Sequence, residues 1–239
     1  MTATRPGRDW PALHDGEILV WWLDLEHCYS PHEYECLASA ELERAARFVF
    51  DRDRRRFIAG RVALRRALLH YTGIAEAELS LAEGTHGKPY LSAASDVTFN
   101  LTHSGGTGLL AMSRGADIGI DLERVILPAN PLAVAASVFT PDECRDLQTM
   151  PDAQLAAGFF ACWTRKEACL KALGAGMSLD PRKIHVGCGR FSGPDETRVL
   201  ANGQSIEIGA VVDSDKWIAS LAVVGAMKPH RVVNCLPGV

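Results

Sequence analysis

The chain has 239 residues, of which 47% are hydrophobic and 23% charged, and its formal net charge is −4. That is ordinary for a soluble globular protein with a sizeable core, in one large domain or two small ones. A net acidic chain with 7% aromatics is a poor candidate for a dedicated nucleic-acid binder, and no apolar run is long enough to span a bilayer.

Residues Met1 to Asp9 are polar, so no secretory signal is expected at the start. Glu17–Leu25 is continuously apolar at its centre and predicts a buried strand. Helices are expected over Ala38–Phe50 and Arg54–Tyr71, the second with Phe57, Leu64, Leu68 and Tyr71 at helical spacing and Gly73 just beyond its end. Strands are predicted over Leu79–Ala82, Val97–Leu101, Leu109–Ser113 and Ile118–Glu123. A loop is expected around Pro128 and Pro131. Thr140-Pro141-Asp142-Glu143 then predicts a helix start with a capping box. A helix over about 153–173 stops at Gly174, and strands are predicted over Ile184–Val186, Ser205–Val212 and Trp217–Val224, with Asn202-Gly203 as a turn. Strand, helices and small strands thus occur twice. The expected fold is α+β, two similar α/β halves (1–116 and 117–239) with a cleft between them.

Seven cysteines without a CxxC pair argue against a disulfide framework or zinc ribbon and for a reducing, cytoplasmic setting. Nine arginines lie between Arg44 and Arg66 against two acids, Asp51 and Asp53. Such a block is expected to attract phosphates, although charge runs are more often solvated helix faces.

In Ile118–Glu123 the side chains alternate, so Asp121 and Glu123 share one face of the strand, with Gly119 leaving space beside them. On the long helix, Trp163, Glu167 and Lys171 form one stripe at steps of four. If Glu167 joins Asp121 and Glu123, three hard oxygen ligands converge, a set suited to magnesium. Gly87-Lys88-Pro89 puts a lysine in a stiff turn, and Phe99 to Gly106 ends a strand with hydroxyls, a histidine and glycines, an anion cradle.

The order GKP, FNLTHS, IGIDLE and WTRKEACLKALGAG resembles the Sfp-type 4′-phosphopantetheinyl transferases, from about Ala38 to Gly176. The resemblance implies a pseudo-twofold, single-chain fold with the active site between the halves. It implies magnesium held by Asp121, Glu123 and Glu167 against the coenzyme A pyrophosphate, with Lys166 and Lys171 bordering the phosphates. Lys88, Thr102, His103 and Arg56 would bind the nucleotide end, His103 and Arg56 near its 3′-phosphate, with Arg44 a further candidate. Glu41 stands where relatives are often basic, so one nucleotide contact is expected to be missing.

The implied reaction moves 4′-phosphopantetheine from coenzyme A to a serine of an apo acyl or peptidyl carrier protein and releases 3′,5′-ADP. Glu167 or a metal-bound water would take the proton, and Asp121, Glu167 and Lys171 would carry the chemistry. A monomer acting in the cytoplasm is expected, with no nucleic-acid or membrane partner. Fatty-acid, polyketide and nonribosomal-peptide carriers remain open. The rival readings are a metal-dependent nuclease or phosphohydrolase using the same carboxylates, and a noncatalytic carrier- or nucleotide-binding module.

Overall fold

The computed structural model describes residues 10–27, 29–189 and 197–233. The order is β1 (Ile18–Asp24), α1 (Ser39–Ala46), α2 (Asp51–Thr72), the hairpin β2 (Leu81–Glu83) and β3 (Pro89–Leu91), β4 (Val97–Ser104), β5 (Thr107–Arg114) and β6 (Ile118–Arg124). Helices α3 (Pro131–Val138), α4 (Pro141–Thr149) and α5 (Asp152–Leu173) follow, then β7 (Thr197–Ala201), β8 (Gln204–Asp213), β9 (Trp217–Val224) and β10 (His230–Val233).

Two four-stranded sheets form, ordered β10-β1-β5-β4 and β6-β9-β8-β7. One apolar core lies between the first sheet and α2, with Leu19, Trp21, Leu23, Leu64 and Leu68 fully or nearly buried. A second lies around α5, with Phe159, Cys169, Ile206 and Ile208. Each such fully buried aliphatic or aromatic side chain stabilises the fold by roughly 1.5–3 kcal/mol. A third cluster joins the sheets: Ile18, Val20, Leu109 and Ala111 from one meet Ile118, Ile120, Leu122 and Leu221 from the other. Among the described residues, no helix is long and apolar enough to cross a membrane.

Both 22-residue helices end on glycine in the left-handed conformation, Gly73 at φ 67° and Gly174 at φ 60°, as the stop signals predict. The hairpin turn at Asn202 (φ 52°) and Gly203 (φ 74°) joins β7 to β8. Two expectations need correction, and one pairing was not foreseen. The stretch at Pro131 is helix α3, not loop, because Asn130 caps it, accepting from the Ala133 amide, and proline opens it. No strand forms over Ile184–Val186, because the Val186 amide donates to the Glu143 carboxylate at 2.7 Å instead of to a neighbouring strand. And β10, from the second half of the chain, runs parallel to β1 in the first sheet, Ile18 opposite His230.

Candidate active site

The edge strands of the two sheets, β4 and β6, lie against one another at the junction. No ladder joins them. An exposed or buried strand edge leaves amides and carbonyls that need partners, and side chains supply them here. Asn100 Oδ1 accepts from the Ile120 amide (2.9 Å) and Ser104 Oγ from the Arg124 amide (3.2 Å). Lys88 Nζ donates to the Ile118 carbonyl (3.1 Å) and Lys171 Nζ to the Ile120 carbonyl (3.2 Å). The groups that seal the edge are those that build the site.

On β6 the apolar side chains Ile118, Ile120 and Leu122 enter the core between the sheets, and Asp121 and Glu123 face the other way. Helix α5 covers that second face. Gly119 makes this possible: a Cβ there would stand 2.1 Å from the Ala168 carbonyl oxygen and 2.3 Å from the Ala172 amide. The space that Gly119 leaves is thus filled by helix backbone, which corrects the expectation of room beside the carboxylates. The close approach brings Glu167 and Lys171 to Asp121.

Lys171 Nζ lies 2.6 Å from Asp121 Oδ1 and donates to Thr102 Oγ1 at 3.1 Å; Thr102 in turn donates to Asp121 Oδ1 at 3.1 Å. Ser104 Oγ donates to Glu123 Oε2 at 2.8 Å. Thus Asn100, Thr102 and Ser104, alternate residues on β4, answer β6 in step. Asn100 and Ser104 were absent from the expected site residues; the two-residue alternation within FNLTHS was the signal for them.

Burial pushes the carboxyls of all three acids above the usual range. For Asp121 the Lys171 charge opposes the shift; for Glu123 the Ser104 hydrogen bond opposes it and the Asp121 charge adds to it; for Glu167 the Asp121 charge adds. The three sense one another's charge without closing onto one point: among the described residues, no group of three or more His, Cys, Asp or Glu is gathered tightly enough to hold a metal. One observation still favours a cation. Asp121 Oδ2 is buried and has no hydrogen-bond partner, a state that costs about 1–3 kcal/mol or more for a charged group. Hard oxygen donors with an orphan among them fit magnesium.

Beside this cluster a cleft of about 300 Å³ opens between the hairpin and α5, lined by Lys88, Asn100, Glu167, Leu170, Lys171 and Gly174 among others. It is large enough for part of an extended ligand.

Known proteins are similar to this chain in sequence. The profile of the 4′-phosphopantetheinyl transferase superfamily matches residues 117–222, and that of the N-terminal part of 4′-phosphopantetheinyl transferases matches 25–114. The 4′-phosphopantetheinyl transferase HetI of Nostoc sp. is 35% identical over 219 residues, 89% of this chain and 90% of that protein. The chain belongs to the 4′-phosphopantetheinyl transferase superfamily. Two further relatives match over shorter stretches. The 4′-phosphopantetheinyl transferase of Bacillus subtilis is 32% identical over 60% of this chain and 62% of its own length. AcpT of Salmonella typhi is 38% identical over 49% and 58%.

Around the centre of this transferase the other expected residues fall into two groups. At the rim, Arg56 pairs with Glu26, its Nε donating to Oε1 at 2.9 Å, and also faces Asp53 at 3.8 Å. His103 stands near the end of β4, where partial desolvation by its neighbours and the charges of Lys171 and Arg56 keep it below the usual imidazole range. Lys88 lines the cleft, but its ammonium already donates to Ile118 and to the Ala172 carbonyl (3.0 Å), and burial lowers its pKa.

Two residues stand elsewhere. Lys166 does not border the cleft. It is wholly buried, its Nζ 2.7 Å from Glu143 Oε2 and donating to the carbonyls of Pro181 and Ile184. Residues turn about 100° each along a helix, so the neighbour of Glu167 points into the core. Arg44 is exposed, paired with Glu83 at 3.4 Å, and lines a recess behind the hairpin with Arg61 and Arg65 that touches the cleft's lining only at Pro89. Glu143 forms its expected capping box, accepting from the Thr140 amide at 2.8 Å, and its other oxygen takes the amides of Val186 and Gly187.

The arginine block also reads differently in space. Arg44, Arg52, Arg54, Arg55, Arg56, Arg61, Arg65 and Arg66 all pair with acids, several of them distant in sequence: Glu26, Glu33, Glu41 and Glu83. Glu41 holds Arg65 at 2.6 Å, which gives that acid a structural reason. The block is largely neutralised, so it supports neither strong general phosphate attraction nor the nuclease reading.

Proposed function

We propose that this transferase moves 4′-phosphopantetheine from coenzyme A to a serine of an apo acyl or peptidyl carrier protein and releases 3′,5′-ADP with magnesium present. We assign it to the single-chain, pseudo-twofold branch, with halves 1–116 and 117–239 and the site at their junction. The carrying observation is the Thr102–Asp121–Lys171 network with its unpartnered Asp121 oxygen, whose Lys171 lines the cleft together with Glu167.

Asp121, Glu123 and Glu167 would hold magnesium, which when bound would offset the charge of the pyrophosphate. Glu167 is half-buried and lines the cleft beside Lys171, within reach of a bound serine, where it can take the serine proton. The serine oxygen attacks the phosphorus bearing the pantetheine arm. The new P–O bond forms as the bond to the adenosine bisphosphate breaks, and the departing phosphate oxygen carries the charge. Lys171, held in place by Thr102 and Asp121, faces that charge and stabilises it electrostatically. Thr102 orients both members of the pair. His103 and Arg56 lie where a nucleotide phosphate at the rim would meet them, with Lys88 along the cleft.

The test is mass spectrometry of isolated apo acyl and peptidyl carrier proteins after incubation with the protein, coenzyme A and magnesium. A carrier gaining the phosphopantetheine mass supports the proposal. Unmodified carriers with cleaved nucleic acid under the same conditions would replace it with the hydrolase reading.

A further inference from the structure

Among the described residues, nine large hydrophobic side chains are exposed; Leu42 is one of them, on α1, and Phe48, Val49 and Phe50 fall in the turn joining α1 to α2. Scattered exposed apolar residues need no explanation; a contiguous group does. Val49 is 90% exposed and Phe50 66%. Local structure does not ask for them. Phe50 occupies the N-cap of α2 and supplies no side-chain cap, where a serine or aspartate would stabilise the helix better. Nor is the turn loosely attached. Phe48 packs on Phe57 with ring centroids 5.3 Å apart, and Arg44 and Arg61 lie over the same Phe57 ring.

The surroundings are rich in arginine, most of it paired with acids. Between positions 44 and 56, six arginines accompany two aspartates. Arg47, immediately before Phe48, is the one arginine of the block without an ion pair among the described residues. The turn is also placed next to the site. Further along α2, Arg56 pairs with Asp53 and with Glu26, and Glu26 packs so closely on Gly106 that a Cβ there would stand 2.3 Å from Glu26 Oε1. That is the tight turn following His103.

We propose that the Arg47–Phe50 turn is the surface on which the acceptor carrier protein docks, taking an apolar face of the carrier fringed by carboxylates. This rests on the carrier-protein reading of the site. Val49 and Phe50 supply buried contact area, Arg47 finds the carboxylate it lacks within this chain, and the rim position lets the carrier's serine reach Glu167.

The test compares the wild type with Val49→Ser/Phe50→Ser and, separately, Arg47→Glu, with isolated apo carrier protein and coenzyme A as substrates. The carrier KM should rise about tenfold in each variant, as for a central interface contact, while the coenzyme A KM and the kcat at saturating carrier stay as they are and the Tm holds or, with the serine cap at position 50, rises slightly. The Arg47→Glu effect should shrink at about 0.5 M salt, where exposed charges are screened. An unchanged carrier KM in both variants overturns the proposal. So does an equal rise in both KM values, and so does a wild-type dimer that the double serine variant dissociates, which would make a second copy the occupant. A wild type that binds coenzyme A but modifies no carrier defeats the parent reading and this proposal with it.

Discussion

Helix α5 carries two lysines, Lys166 and Lys171, each holding a buried carboxylate, and the two pairs are built to different standards. Around Lys166 and Glu143 the polar groups are answered: the ammonium by Glu143 and two carbonyls, the carboxylate by amides of Thr140, Val186 and Gly187. Lys171 is partly open to the cleft, and Asp121 keeps one buried oxygen without a partner. A buried pair is tolerated when all its lone pairs and protons are used. One left unfinished retains capacity for something outside the chain. The first pair ties α5 to α4 and the loop over 181–187; the second borders the cleft.

The largest effect expected on the open side is from Asp121→Asn. Transfer should fall on the order of a thousandfold, about 4 kcal/mol in activation free energy, as when a key electrostatic group is lost. The Tm should hold or rise slightly, because a buried charge is removed and Lys171 can reach water. Turnover close to wild type at limiting magnesium would reassign the site.

On the closed side, Glu143→Gln should destabilise the fold by about 3 kcal/mol at neutral pH, since it leaves the buried Lys166 charge uncompensated. Burial opposes ionisation of Glu143, but the hydrogen bonds from Lys166 and from the Val186 and Thr140 amides outweigh it, so its carboxyl lies below the usual range. A depressed folded pKa contributes stability above the unfolded value of about 4.3, lost as pH falls through the folded pKa. The gap between wild type and variant in denaturant melts should therefore be full at pH 7 and narrow below about pH 4. A gap that widens on acidification would show that the pair is not ionic.

The smallest effect concerns the rim. Arg56→Ala and His103→Ala should each weaken coenzyme A binding about tenfold, roughly 1.4 kcal/mol, and barely change affinity for dephospho-coenzyme A, read by calorimetry. Equal losses for both ligands would mean that the rim shapes the pocket and does not read the 3′-phosphate.

How much of this contrast was legible beforehand depends on distance along the chain. The alternation that puts Asp121 beside Glu123, and the four-residue step from Glu167 to Lys171, are local and were readable. Helix arithmetic also held a clue that went unused. Five residues at about 100° each set Lys166 and Lys171 roughly 140° apart, so one cleft was unlikely to receive both. What no local pattern could supply was the partner. Glu143 reads as a capping residue, and nothing near it in sequence announces Lys166. The pairing of β10 with β1 joins positions over two hundred residues apart through a strand of four residues. The ion pairs that neutralise the arginine block likewise depend on Glu26, Glu33, Glu41 and Glu83 folding back onto α1 and α2.

The division of labour along α5 is tested most directly by making the same substitution at both lysines and measuring two quantities for each. Lys166→Met should lower the Tm by many degrees, through an uncompensated Glu143 and a loss of about 3–5 kcal/mol. At a temperature where it is folded, it should keep turnover within a few fold of wild type. Lys171→Met should lose clearly less stability, because the Asp121 carboxyl already lies above its usual range and can take a proton, and should lose about 2–4 kcal/mol of transition-state stabilisation in carrier modification. Two variants that lose stability and turnover in equal proportion, or a Lys171→Met protein with unchanged kcat, would contradict it.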